Sequence, residues 1–324
     1  MKTHPTHRQK DQGTWISWLG APAQFLALGQ DTDNHYCLSR SKSPAGGSAP
    51  PHSHDFEEGF YLLSGELTFR AGNQTHSLKA GDFINIQSGV AHSVKNVSGE
   101  DAEVLIVCAP SGFDQFQIEG GYLLDGPNSP LVPFDEEGKA RLLAAAQKYG
   151  INMEPSAQAF QEEPGVRITR QNQGVIVDVV GDRYRFLAEQ QDTNGNYAIW
   201  EAELGPGGGP PPHIHRKEEE GFFLLEGRIT FFTAEKSFTA AAGDFVHLPR
   251  NGLHWFKNET EQPARTLILV APGGLEKMFV EVGVLASDPS RPILPPDAEE
   301  KERLVRLAPS FGIELKLDEG PTPP

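Results

Sequence analysis

Six of the eleven histidines stand in two matching arrays. The first reads His52-x-His54-x3-Glu58 and is followed by His92. The second reads His213-x-His215-x4-Glu220 and is followed by His254. Residues i and i+2 of a strand point to the same face, so each H-x-H sets two imidazoles side by side. A Glu after a short turn and a His from a later strand can close the cluster. Three neutral imidazole nitrogens and one carboxylate suit a divalent first-row metal, and Fe, Mn, Ni, Co and Cu are all compatible. The expected cofactor is one such ion per array, of unspecified identity. Four protein groups on a six-coordinate ion leave about two positions open, and open positions admit a substrate or O2. A lone H-x-H carries little weight. The weight lies in four ligand types recurring in order, twice. His4, His7, His35, His76 and His247 lack such a pattern and read as surface or structural residues.

The elements that position these residues are also written twice. Residues 25–54 lie over residues 186–215, pairing Gln30 with Gln191, Asp31 with Asp192, Thr32 with Thr193 and both histidines of each H-x-H. After one inserted residue, 57–69 lie over 219–231, Gly81-Asp82-Phe83 over Gly243-Asp244-Phe245, and His92 over His254. Ala109-Pro110 then meets Ala271-Pro272, and Tyr149-Gly150-Ile151 meets Phe311-Gly312-Ile313. One register held over so long a stretch marks a duplication of whole domains rather than a solenoid repeat. We expect domains at residues 12–155 and 172–318, joined by a linker rich in Glu, Gln and Pro. The duplication implies a pseudo-dimer within one chain and leaves further homodimerisation open.

Short apolar runs bounded by Gly, Pro or Asn predict an all-β sandwich or barrel in each copy. Asp135 with two following acids, and Gly150 after Tyr149, are start and stop signals for a helix after the first barrel. Asp297 and Gly312 frame its counterpart. Strand parity puts Phe60 on the face of Glu58, Phe222 on that of Glu220 and Phe256 on that of His254. These three are the expected substrate-binding residues, and they favour an aromatic ligand. Glu57 and Glu219 have the opposite parity and read as structural.

The 324 residues carry 28 Lys plus Arg against 44 Asp plus Glu, a formal charge of −16. That balance excludes a general nucleic-acid binder and disfavours anionic membranes. No apolar run is long enough for a membrane span, and the first residues have no signal-peptide core. The expectation is a cytoplasmic protein. Cys37 and Cys108, in apolar strand-like stretches, read as reduced core thiols.

The arrays sit inside two longer patterns. G-x5-H-x-H-x(3,4)-E-x6-G is met by Gly46, His52, His54, Glu58 and Gly65, and by Gly207, His213, His215, Glu220 and Gly227. G-x5-P-x-G-x2-H-x3-N is met by Gly243, Pro249, His254 and Asn258, with Asn251 in place of the inner Gly. The first copy has Gly81, Gly89, His92 and Asn96, with Gln87 in place of Pro. In these residues the chain resembles the two-domain cupins. The resemblance implies two tandem double-stranded β-helix (jelly-roll) barrels, each followed by a short C-terminal helix.

Among two-domain cupins the pattern is similar to that of the quercetin 2,3-dioxygenases. That resemblance implies a metal-dependent dioxygenase whose partners are O2 and a small aromatic, flavonol-type substrate. Glu58 or Glu220 would be both ligand and catalytic base toward the substrate hydroxyl, and substrate and O2 would take the open positions of the 3-His-1-Glu site. Two alternatives stand beside it: an oxalate decarboxylase-like enzyme, and a non-catalytic bicupin that binds a metal or ligand.

Overall fold

The computed structural model describes residues 4–160, 165–286 and 291–317. The chain forms two compact units. Of the described residues, the N-terminal unit comprises those between 11 and 173 with 192–194, and the C-terminal unit those between 174 and 191, between 195 and 317, and 4–10.

Each unit is a two-sheet jelly roll of antiparallel strands. In the N-terminal unit an eight-stranded sheet has Cys37–Ser43, Ala102–Ala109, Glu57–Ser64 and Phe83–Ile86 side by side at its centre. The second sheet holds four strands, ordered Ser48–His52, His92–Lys95, Glu66–Ala71 and Gln74–Lys79. Phe60, Leu62, Ile84 and Val104 from the large sheet meet Leu67, Phe69 and Leu78 from the small one in a single buried cluster. Burying each such side chain stabilises by about 1.5–3 kcal/mol, so the inward-facing positions hold the two sheets together.

The C-terminal unit repeats this plan. Its large sheet carries Asp182–Ala188, Ala198–Leu204, Ala264–Ala271, Glu219–Glu226 and Phe245–Leu248, and its small sheet carries His213–His215 beside Leu253–Lys257. Trp200, Phe222, Ile229, Phe231 and Phe256 form the middle of its core.

The turns follow from residue type. Gly65 (φ +76°) joins Glu57–Ser64 to Glu66–Ala71, and a Cβ there would lie 2.7 Å from backbone atoms of Asp101 and Ala102. Gly227 does the same work in the second copy, with the same φ of +76°.

Each barrel is followed by two helices where the sequence predicted one. Helix α1 spans Phe113–Gly120 and α2 spans Glu136–Tyr149. Helix α3 spans Glu276–Val282 and α4 spans Ala298–Phe311. The expected signals frame α2 and α4: Asp135 accepts from the Glu137 and Gly138 N–H groups, Asp297 accepts from Glu300 N–H, and Gly150 and Gly312 close the helices in the left-handed region.

Two strands lie outside the duplicated pattern. Val166–Thr169, in the stretch expected to be linker, pairs with Phe83–Ile86 and forms an edge of the N-terminal sheet. Thr6–Arg8 pairs with Phe245–Leu248 and forms an edge of the C-terminal sheet. Among the described residues no helix is long and apolar enough to cross a membrane.

Candidate metal centres

Four elements bring the first array together. His52 ends one strand of the small sheet, and His92 begins the neighbouring strand directly opposite it. His54 follows in the connection, and Glu58 projects from the strand Glu57–Ser64 of the large sheet. The four side chains are buried, with candidate ligand atoms all within 4.8 Å of one another. His213, His215, Glu220 and His254 form the same cluster in the C-terminal unit, and there His213 lies opposite His254.

Hydrogen bonds fix how the imidazoles point. Nδ1 of His52, His54 and His92 lies 2.9, 3.1 and 2.9 Å from the carbonyls of Pro50, Phe56 and Val90. A carbonyl only accepts, so each Nδ1 carries the proton and each Nε2 offers a lone pair to the centre. Nε2 of His54 and of His92 then lie 3.1 and 3.0 Å from the same Glu58 oxygen. Neutral rings would set lone pair against carboxylate there. A cation at the centre resolves that conflict, and this donor set fits a divalent transition metal.

The C-terminal cluster makes the same case. His213 and His254 bond the carbonyls of Pro211 and Gly252 through Nδ1. Nε2 of His213 and of His215 stand 3.1 Å apart. The buried Glu220 Oε2 stands 3.2 Å from His254 Nε2 and 3.6 Å from His215 Nε2.

Burial, followed by the neighbouring His92, holds the His52 imidazole down to about 3. Burial, then His254 and His215, lowers His213 in the same way. Both rings are therefore neutral and ready to ligate at physiological pH. Burial pushes Glu58 upward, but positive charge on its His54 and His92 side, whether a proton shared through Nε2 or a cation at the centre, outweighs that and keeps it ionised. Glu220 is likewise held low against its own burial by His215 and His254.

The Cupin_2 family model (Cupin domain) matches residues 40–108 and 200–270, one match around each cluster. The chain is a two-domain cupin. Quercetin 2,3-dioxygenase of Bacillus subtilis (strain 168) is 25% identical over 273 residues, covering 81% of this chain and 80% of that relative. The Lactobacillus farciminis oxalate decarboxylase formate complex superposes with a TM-score of 0.58 at 15% identity, covering 85% of this cupin and 87% of that chain. A Bacillus subtilis oxalate decarboxylase, studied for its Mn(II) centres, superposes with a TM-score of 0.55 at 16% identity, covering 85% and 78%.

Each cupin cup opens on a cavity beside its cluster. The N-terminal cavity, about 140 Å³, reaches His52 and Glu58 and is walled by Trp18, Phe60, Phe113 and Phe116. The C-terminal cavity, about 60 Å³, reaches His213, His215 and Glu220 and includes Phe256. Of the three phenylalanines expected to bind substrate, Phe60 lines the N-terminal cavity and Phe256 the C-terminal one. Phe222 packs in the core against Phe231 and Phe256, with ring centroids 5.0 Å away in each case.

Glu57 points away from the cluster, as its parity predicted. It accepts from Asn85 Nδ2 and Asn194 Nδ2 at 2.9 Å. Glu219 faces His247, 3.1 Å away, so His247 is a buried structural residue.

Sequence reasoning missed Glu218. The longer spacing of the second array buries its carboxylate 3.4 Å from His215 Nδ1, where His54 has only a backbone carbonyl. A carboxylate behind a ligating imidazole raises its basicity. Glu218, with Glu220, lifts the His215 pKa against its burial. The signal was present in the run of three acids, Glu218 to Glu220.

Proposed function

We propose that this cupin is a metal-dependent dioxygenase acting on an aromatic, flavonol-type substrate, with the N-terminal cup as the aromatic-binding site. The observation that carries this reading is the N-terminal cavity, where four aromatic rings wall a space that ends on His52 and Glu58. The similarity to quercetin 2,3-dioxygenase over most of both chains supports it.

His52, His54, Glu58 and His92 would hold one divalent transition metal, and His213, His215, Glu220 and His254 a second. The bound ion would supply Lewis acidity at the substrate oxygen and open positions for substrate and O2. The chain's residues do the rest. The apolar walls strip water from the substrate ring and orient its hydroxyl toward the cluster. Glu58 Oε1 and Oε2 are the basic oxygens at the cavity floor, and Glu58 takes the substrate hydroxyl proton as general base. Backbone carbonyls behind His52, His54 and His92 fix the ring planes, so the carboxylate keeps its aim. Phe60 and Phe113, both on the cavity wall, would contact the substrate ring.

Oxygen uptake on adding quercetin, with protein loaded in parallel with Fe(II), Mn(II), Ni(II) and Co(II), tests the proposal. Metal-dependent uptake that is lost in His52→Ala is the expected result. Fully loaded protein that consumes no O2 with any flavonol overturns it. The second reading, oxalate decarboxylation, is tested on the same samples by CO2 release from oxalate.

A further inference from the structure

The chain's two thiols stand on one rung of the N-terminal sheet. Cys37 lies directly opposite Cys108, and Cys108 lies directly opposite Glu58 on its other side. Residues that oppose each other across an antiparallel pair share a face, here the one from which Glu58 reaches the first cup. The Cys108 thiol donates to Glu58 Oε1 across 3.9 Å. Both cysteines are free and buried, as the sequence led us to expect. Burial, followed by the Cys37 thiol at its side, pushes the Cys108 thiol up, so it rests protonated. The same rung of the C-terminal sheet holds Ala198, Val270 and Glu220.

The second copy shows that Ala and Val fill this rung, so packing alone does not call for two sulfurs. The geometry suits a bond between them. Opposed residues of an antiparallel pair have Cα atoms about 4.5–5.5 Å apart. A disulfide closes without backbone movement at about 4.4–6.8 Å. A lone buried thiol is inert toward oxidants. A pair on one rung differs, because the second sulfur captures the first oxidation product as a disulfide. Cys37 and Cys108 pack with Phe113, Phe116 and Leu142, which also wall the first cup. An oxidant small enough to enter that cup therefore comes within one layer of side chains of the pair.

We propose that Cys37 and Cys108 are a reversible disulfide site that is closed by a peroxide entering the first cup and that tunes the first metal centre through Glu58. One thiol attacks the O–O bond of the peroxide, giving a sulfenic acid and one water when the oxidant is hydrogen peroxide. The other thiol attacks the sulfenic sulfur, forming the S–S bond and releasing a second water. The two thiols give up two electrons and two protons, and one peroxide takes them. A disulfide has no S–H, so Glu58 Oε1 loses its sulfur donor and has more of its charge to offer a cation. Glu220 faces Val270 across the matching rung and has no such donor to lose. The inference rests on the metal-centre part of the reading above and not on its flavonol part.

The test starts with Zn(II)-loaded full-length protein, treated with hydrogen peroxide, quenched with catalase, unfolded and alkylated with iodoacetamide for mass spectrometry. The expected product has lost two hydrogens, takes up no alkyl group and yields a linked Cys37–Cys108 peptide. A phosphine reductant should restore both alkylation sites. Chelator competition then reads zinc affinity before and after oxidation. In His213→Ala protein, which keeps the first cluster, oxidation should raise the affinity roughly threefold, the worth of one weak donor. The reductant should reverse that rise, and adding Cys37→Ala, the residue of position 198, should abolish it. In His52→Ala protein, which keeps the second cluster, oxidation should change nothing. The proposal is overturned if peroxide leaves both thiols alkylatable or turns them into separate sulfinic acids. It is also overturned if the linked protein binds zinc at the first cluster with unchanged affinity, or if the rise survives Cys37→Ala. No flavonol and no turnover enter these measurements, so they fail or succeed independently of the oxygen-uptake assay.

Discussion

At the scale of single residues, the metal clusters and the buried acid behave in opposite ways. His52 and His213 are already neutral, so removing either costs donor atoms and no charge. Each of His52→Ala and His213→Ala should lower the metal content by about one equivalent per chain, measured by elemental analysis after reloading and desalting. A variant that keeps two equivalents would sink that ligand assignment. Asp182 bears on stability instead. Its folded-state pKa lies well above the ordinary 3.8, so the unfolded chain ionises first as pH rises. The contribution of Asp182 is therefore fully present in acid and is lost progressively above pH ~4. Asn at this position does not titrate. Asp182→Asn should melt a few degrees higher than wild type at pH 8, equivalent to about 1–3 kcal/mol, with the gap closing as the pH falls toward 4. Thermal unfolding at several pH values reads this directly, and a pH-independent gap would contradict it. Residue patterns revealed the eight candidate ligands because spacing and type together are specific. They did not reveal the burial of Asp182, which belongs to no motif.

Among the elements, the second motif shows why a family pattern tolerates exceptions. The inner Gly position has φ +81° in Gly89, and its counterpart Asn251 has φ +66°. Asn is the non-Gly residue that best accepts that conformation. Asn251→Gly should be tolerated, whereas Asn251→Val should cost about 1–2 kcal/mol, read by chemical denaturation. Gln87 replaces Pro249 for a different reason. Its N–H donates to the Gly165 carbonyl, a bond that Pro cannot make, and the strand Val166–Thr169 starts from there. The final Asn of the motif is not a ligand. Asn258 Nδ2 bonds the carbonyls of Leu204 and Gln262 at 3.0 and 2.8 Å, and Asn96 does the same with Ser43 and Glu100 at 2.8 and 2.7 Å. Asn258→Ala strands two carbonyls and should destabilise by about 1–3 kcal/mol without removing a metal ligand. Capped helices were legible because Asp135, Gly150, Asp297 and Gly312 act locally. Helices α1 and α3 were less so, because Asp114 and Glu276 accept from Gly112 and Gly274 two residues back and are shared with distant segments as well. Asp114 accepts from the N–H of Gly29, and Glu276 from that of Gln190, each at 2.9 Å.

At the scale of the whole molecule, the duplication was plain in the sequence, but the ownership of the chain's first residues was not. Thr6–Arg8 is too short to carry a pattern of its own, and its place is set by the open edge at Phe245–Leu248. Deleting residues 1–9 should speed amide hydrogen exchange in residues 245–248 and leave residues 83–86 unchanged, as read by mass spectrometry. Equal effects on both stretches would refute that assignment. The same edge strand orders the life of the molecule on the ribosome. Thr6–Arg8 cannot dock until the residues near position 245 have emerged, so it waits through the making of the whole first copy. It also ties the two halves of the gene together. A C-terminal half expressed alone would expose a bare strand edge at Phe245–Leu248, the kind of edge on which sheets stack into aggregates. Separating the two copies would therefore leave the second one with a border to cover by other means, a charge, a bulge or a loop.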